Sequence, residues 1–276
     1  MKVIISHDVD HITCLEHWKD LSIPKFMVKS LLEVMRRAVS FKEFLLRVFS
    51  LFHNKWHNID SLIEYDKKNN IPSTFYVGVA HGLGLSYSNK RATIWIKKVI
   101  ESGFRVGLHG IAYDDFESMK KEREVFSQLS GLKEFGIRMH YLRSAQNTLK
   151  YLAELGYVYD AGRRGNEIQA LGDFYSFPVQ VMDSDLINSK ETRLQIKDFD
   201  LIKEATIEII ETTKKEKQPY LSVIFHDRYF GPDFLMWKKW YIWVIEYLKN
   251  QGFDFCTYEE ALEEIRTKES VYKQVV

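Results

Sequence analysis

Cysteine is nearly absent from this chain, as are long apolar runs and any excess of one charge sign. The two cysteines, Cys14 and Cys256, lie far apart and in no metal-binding spacing. No disulfide framework is expected, and a reducing compartment fits better. No uninterrupted apolar stretch approaches the roughly 18 residues that a membrane span needs. The three apolar residues after Lys2 are too few for a signal-peptide core. The mature protein is therefore expected to begin near Met1 and to be cytoplasmic. A formal net charge of +1, from 39 Lys and Arg against 38 Asp and Glu, lacks the basic excess of a general nucleic-acid binder. What remains is 276 residues, 45% hydrophobic and 28% charged, enough for one large α/β domain that needs no disulfides.

Short apolar runs alternate with longer amphipathic ones, as in βα units. The strand candidates are residues 2–6, 73–79, 105–108, 138–142, 158–160, 176–181, 220–225 and 254–256. Helical patterns cover about 59–68, 90–101, 116–132, 146–155, 200–214, 234–250 and 258–268. Gly103, Gly136, Gly156 and Gly252 each follow a helix and precede a strand, where a left-handed C-cap is expected. Seven or eight strands favour a barrel over an open sheet.

Residues 14–59 break this rhythm. Where a short loop is expected there is a cationic helical pair. Lys25, Lys29, Arg36, Arg37, Lys42, Arg47 and Lys55 face only Glu33 and Glu43. The segment reads as a lid that packs its apolar face on the barrel and leaves its Lys/Arg face in water. The sharper reading is peripheral contact with an anionic membrane or a lipid-linked substrate through residues 24–57.

In parallel α/β folds the reactive groups sit at the C-terminal ends of strands. Those positions hold His7, Asp8, Asp10 and His11; His109, Tyr113, Asp114 and Asp115; Arg143; Asp160, Arg163 and Arg164; and His226, Asp227 and Arg228. Asp10 and His109 supply carboxylate and imidazole for a divalent cation. A metal-bound water becomes a nucleophile near neutral pH, and Asp8 could take its proton. Arg143 is the candidate to hold Asp8 ionised, and His226 could protonate a leaving amine. Together these steps are amide hydrolysis.

The stretches SHDVDH, GLHGIAYDD, RMHYLRS, YDAGRRG, SFPVQVMDSDL and VIFHD, in this order over residues 2–260, resemble the polysaccharide deacetylase (NodB-homology, carbohydrate esterase 4-like) superfamily. That resemblance implies a distorted (β/α)7-type barrel, with residues 14–59 as a helical insertion. It also implies N-deacetylation of a glycan or sugar precursor in surface-polysaccharide metabolism, using a divalent metal ion, often zinc. By the resemblance Asp8 is the base, Asp10 and His109 are metal ligands, Arg143 braces the base and His226 is the acid. The pattern's second histidine is missing, with Tyr113 in its place. Tyr113, Asp114, His7 or His11 is then the candidate further ligand, unless the site is metal-free.

Other residues have plainer readings. His140, within a strand, is expected in the core. His11 would bond nearby backbone, or contribute with Arg163 and Arg164 to substrate binding, where adjacent arginines suit an anion. The aromatic run from Trp237 to Tyr247 reads as packing. Two other functions compete: a degenerate barrel that binds a glycan or partner without turnover, and an amidohydrolase for a small non-sugar amide.

Overall fold

The computed structural model describes residues 1–18 and 20–275, with side chains through 268. Val3, Ile4 and Ile5 open a strand that continues past the first charged residues, so β1 spans Lys2–Val9. After a single 3-10 turn come helices α1 (Ser22–Met35), α2 (Phe41–Phe52) and α3 (Ile59–Lys68). Strands and helices then alternate: β2 (Thr74–Val77), α4 (Asn89–Glu101), β3 (Arg105–Gly110), α5 (Phe116–Ser130), β4 (Ile137–Met139), α6 (Thr148–Glu154) and β5 (Tyr159–Arg163). Three short strands follow, β6 (Gln169–Leu171), β7 (Phe174–Pro178) and β8 (Val181–Met182). The chain ends with α7 (Asp183–Ile187), α8 (Phe199–Lys215), β9 (Tyr220–Ile224), α9 (Leu235–Asn250) and α10 (Tyr258–Val275).

The strands form one sheet in the order β6-β7-β5-β4-β3-β2-β1-β9-β8. All neighbours are parallel except β6 and β7. The sheet curls into a distorted barrel of the kind expected, and among the described residues its edge strands β6 and β8 do not pair. The expected strand at 254–256 is reduced to a single bridge between Val3 and Phe255.

Alternation along the strands produces two cores. Outward side chains such as Val3, Ile5, Phe75, Val77 and Leu108 meet the helices, including the buried Trp237, Trp240 and Tyr241 of α9. The aromatic run is thus packing, as read. Inward side chains, among them Ile4, Tyr76, Tyr159, Phe177 and Tyr258, fill the barrel. Three of the four expected cap glycines adopt left-handed backbone, at Gly103, Gly156 and Gly252. Gly136 does not, and Gly131 caps α5 instead. Gly136 serves a close approach: a Cβ there would lie 2.2 Å from the Tyr159 ring.

The insertion departs from the expected lid. The residues that α1 and α2 bury completely are polar: Ser30 and Glu33 on α1, Glu43 and Arg47 on α2. Arg47 lies 2.5 Å from Glu33 and 3.3 Å from Glu43, and donates to the Asp233 carbonyl at 2.8 Å. Buried charges stay only where paired, so this cluster fixes the helices against each other and against the segment after β9.

Candidate active site

Period two along β1 places Ser6, Asp8 and Asp10 on the inward side and sends His7 outward. His7 is fully buried against Asp66, 2.8 Å away, and the Phe225 carbonyl. It cannot be the further ligand, because it sits on the wrong face of the sheet. The same parity on β4 turns Arg138 and the following His140 inward. The strand stops at Met139, because Tyr141 and Leu142 both take left-handed backbone. Arg143 therefore does not reach the barrel. Its guanidinium stacks 3.9 Å from the centre of the Tyr113 ring.

The cation beside Asp8 is Arg138, which corrects the assignment of that role to Arg143. Arg138 is fully buried and donates to Asp8 Oδ1 at 2.6 Å, Ser6 Oγ at 2.7 Å, the Ala161 carbonyl at 2.8 Å and the Tyr258 hydroxyl at 3.0 Å. Burial alone would raise the Asp8 carboxyl, but the Arg138 charge together with His109 and His226 outweighs it and holds Asp8 below the usual carboxylate range.

One layer nearer the rim, Asp10, His109 and His140 converge. Among the described residues this is the one group of three or more His, Cys, Asp and Glu placed to hold a metal ion, its ligand atoms all within 4.8 Å of one another. His109 Nδ1 is 3.0 Å from the Arg138 carbonyl, and His140 Nε2 is 3.1 Å from the Leu83 carbonyl. A carbonyl only accepts, so each of those nitrogens carries the proton. With both rings neutral, the lone pairs of His109 Nε2 and His140 Nδ1 then face each other at 3.0 Å. Asp10 Oδ1 stands 3.2 Å from the first and 3.4 Å from the second, buried and without an aligned hydrogen bond. Three lone pairs aimed at one point repel unless a cation lies between them. The residues therefore fit a divalent metal, with carbonyl partners fixing both imidazoles as in metal sites generally. The same field raises the His140 imidazole, although burial opposes it, and drops Asp10 well below its usual range despite burial.

His226 closes the site from the other side. Its Nδ1 lies 2.7 Å from Asp183 Oδ1, and its backbone N–H donates to Asp183 Oδ2 at 2.8 Å. Its Nε2 is 3.7 Å from Asp10 Oδ2. Burial would lower this imidazolium, but Asp183, with Asp10 and Asp8 behind it, lifts its pKa to about 10. Tyr87 braces the rim, donating to the Val9 carbonyl and accepting from the Gly78 N–H, both at 2.7 Å.

No family model and no curated protein sequence matches the chain. Solved structures do. One described as a polysaccharide deacetylase from Mycobacterium smegmatis superposes with a TM-score of 0.64 at 17% identity, over 97% of this chain and 90% of its own. Another, from Pseudomonas aeruginosa PAO1, gives 0.55 at 16% identity over 75% and 72%. The fold is that of the polysaccharide deacetylases. PuuE allantoinase shares it, with a TM-score of 0.53 at 16% identity over 75% and 71%. At these identities the likeness concerns the deacetylase fold, and the chemistry rests on the residues.

The remaining sequence candidates lie apart from this centre. Tyr113 is held under Arg143, its carbonyl accepting from Thr148 Oγ1, and Asp114 is exposed. Neither belongs to the ligand cluster, because the loop after β3 turns them away. Nδ1 of His11 is 2.9 Å from His17 Nε2, and burial lowers the His11 pKa to about 3. Arg164 pairs with Asp185 at 2.7 Å, while Arg163 folds back on the Glu167 carbonyl. They do not form a joint anion fork, because each guanidinium is held by its own partner. Three site residues went unassigned from sequence: Arg138, His140 and Asp183. Placing Arg138 and His140 two apart on one strand face was the available signal for the first two. For Asp183 it was an acidic residue directly after a short apolar strand.

Proposed function

We propose that this chain hydrolyses an N-acyl amide, and that its substrate is an N-acetylated glycan or sugar precursor of surface-polysaccharide metabolism. The observation that carries the reading is the three-lone-pair convergence of Asp10, His109 and His140, flanked by an ionised Asp8 and a protonated His226. Asp10, His109 and His140 would hold a divalent ion, for which zinc suits one carboxylate and two imidazoles. Bound there, the ion supplies Lewis acidity to the acyl group and acidifies water.

Asp8, kept ionised by Arg138, takes a proton from the attacking water. His226, kept protonated by Asp183, gives a proton to the departing nitrogen. The C–N bond breaks, a C–O bond forms, and acetate and an amine leave. The base, its brace, the acid and the acid's partner are all present, which favours turnover over a purely binding barrel.

The test is acetate release from N-acetylglucosamine oligosaccharides by the full chain supplied with Zn²⁺. The Asp8→Asn and His226→Ala variants should each lose about 10²- to 10⁴-fold in kcat. No acetate from any N-acetylated sugar, together with no stoichiometric zinc binding, would overturn the reading. Turnover of small non-sugar amides alone would replace the substrate class.

A further inference from the structure

The insertion is inside out. Among the described residues seventeen large hydrophobic side chains are exposed, and eleven of them fall between Leu15 and Phe52. They are ordered. On α1, Val28, Leu31, Leu32 and Met35 follow helical spacing. On α2, Phe41, Leu45, Phe49 and Phe52 do the same. Each stripe lies opposite the polar residues that its helix buries. Met35 is 72% exposed, Phe52 79% and Trp18, just before α1, 80%. Single exposed hydrophobics are ordinary, but two solvent-facing apolar stripes in one segment mark an interaction surface.

Charge decides what covers it. From Leu21 to Lys55 the only carboxylates are Glu33 and Glu43, both buried and both paired with Arg47. Lys25, Arg36, Arg37, Lys42 and Lys55 are exposed. The outer surface of the insertion is therefore apolar and cationic, with no exposed acid. A second copy meeting this face symmetrically would set cations against cations. An anionic lipid surface satisfies both features at once: apolar side chains enter the acyl boundary while Lys and Arg stay among the phosphates. A groove of about 510 Å³ beside α1 has the same character, its lining including Leu21, Val28, Leu32 and Leu194 with Lys25 and Arg193.

We propose that the α1–α2 insertion docks the protein on an anionic membrane surface. The docking is rigidly coupled to the candidate site, because Arg47 and Arg228 tie the insertion to the segment that follows His226. The Arg228 guanidinium lies among Phe26, Trp56 and Phe234 and pairs with Asp233 at 2.6 Å. The surface stands on geometry and charge, independent of whether the site is active.

The experiment is co-sedimentation of the full chain with vesicles of phosphatidylcholine alone or with about one-third phosphatidylglycerol. Binding should require the anionic lipid and weaken with salt. Arg36→Glu/Arg37→Glu should reduce partitioning by about 30-fold or more, from roughly fivefold per surface cation. Phe49→Ser/Phe52→Ser should abolish binding with an unchanged circular dichroism spectrum. The proposal is overturned by no binding, by equal binding to neutral vesicles, or by unchanged binding of the charge-reversed variant. A wild-type dimer lost in Phe49→Ser/Phe52→Ser, without vesicle binding, would assign the face to a second copy instead.

Discussion

Replacing Arg138 should cost more stability than replacing any other arginine near the site, and the structure sets the scale. Its guanidinium is fully buried, makes four hydrogen bonds and lies 4.2 Å from the centre of the Tyr76 ring. Arg138→Met keeps apolar volume but leaves the buried Asp8 carboxylate without its counter-charge. Removing one partner of a buried pair costs about 3–5 kcal/mol. At roughly 2–4 °C per kcal/mol, that is a fall in Tm on the order of 10 °C. Arg143, half-buried with only Tyr113 beneath it, should cost no more than about 1 kcal/mol when replaced by Ala. Urea unfolding of both variants, read by circular dichroism, separates the two. A cycle adding Asp8→Asn should recover part of the loss, with a coupling of about 2 kcal/mol. An Arg138→Met variant within 1 kcal/mol of wild type, or Arg143→Ala matching it, would refute the assignment of Arg138 as the brace.

Three further outcomes are expected. His140→Ala should weaken Zn²⁺ binding, measured by calorimetry, beyond the roughly 10–100-fold that loss of an outer-shell partner costs, while Tyr113→Phe leaves it unchanged. Gly136→Ala should destabilise by about 1–3 kcal/mol in chemical denaturation, because the new methyl would meet the Tyr159 ring. Asp160 is buried, and despite the Ser176 hydroxyl and Gly162 N–H its pKa is pushed up to about 6. Folded, it holds its proton more tightly than the unfolded chain does, so its contribution is full below the unfolded value near 3.9 and is lost as pH rises through 6. The stability difference between wild type and Asp160→Asn should therefore shift by about 2 kcal/mol between pH 4 and 7, against wild type at the higher pH.

The alternation of strands and helices was legible because apolar runs and periodic faces are local properties. Asp8, Asp10, His109 and His226 could be found for the same reason, each lying at or near the end of a strong strand pattern. What could not be read was where strand β4 stops. Its end depends on left-handed backbone at Tyr141 and Leu142, neither of which is a residue type that announces it. A strand running to Leu142 would put Arg143 at its end and His140 within it, as a core residue. Asp183 escaped because its partner, His226, is forty-three residues away. The insertion misled because its apolar residues were expected to pack on the barrel and Arg47 was counted with the solvated cations. Glu33, Glu43 and Arg47 neutralise one another across two helices, a relation no single-helix pattern contains.

Once strand parity is known, the site has a simple construction. Asp8 on β1 and Asp10 just after it, and Arg138 on β4 and His140 just after it, are each two residues apart and turned inward. The lower pair, Asp8 and Arg138, meets at 2.6 Å, where the guanidinium favours the charged form of Asp8. The upper pair meets His109 of β3 and forms the candidate ligand cluster. Register joins the two levels: His109 sits opposite Arg138, and its Nδ1 faces the Arg138 carbonyl. One residue therefore orients both halves, its side chain through Asp8 and its backbone through His109. The histidine absent at position 113 is thus matched by one at 140, since β4 lies beside β3 in the sheet. In a barrel a ligand may come from the neighbouring strand as readily as from the next helical turn, provided it faces inward at the same height.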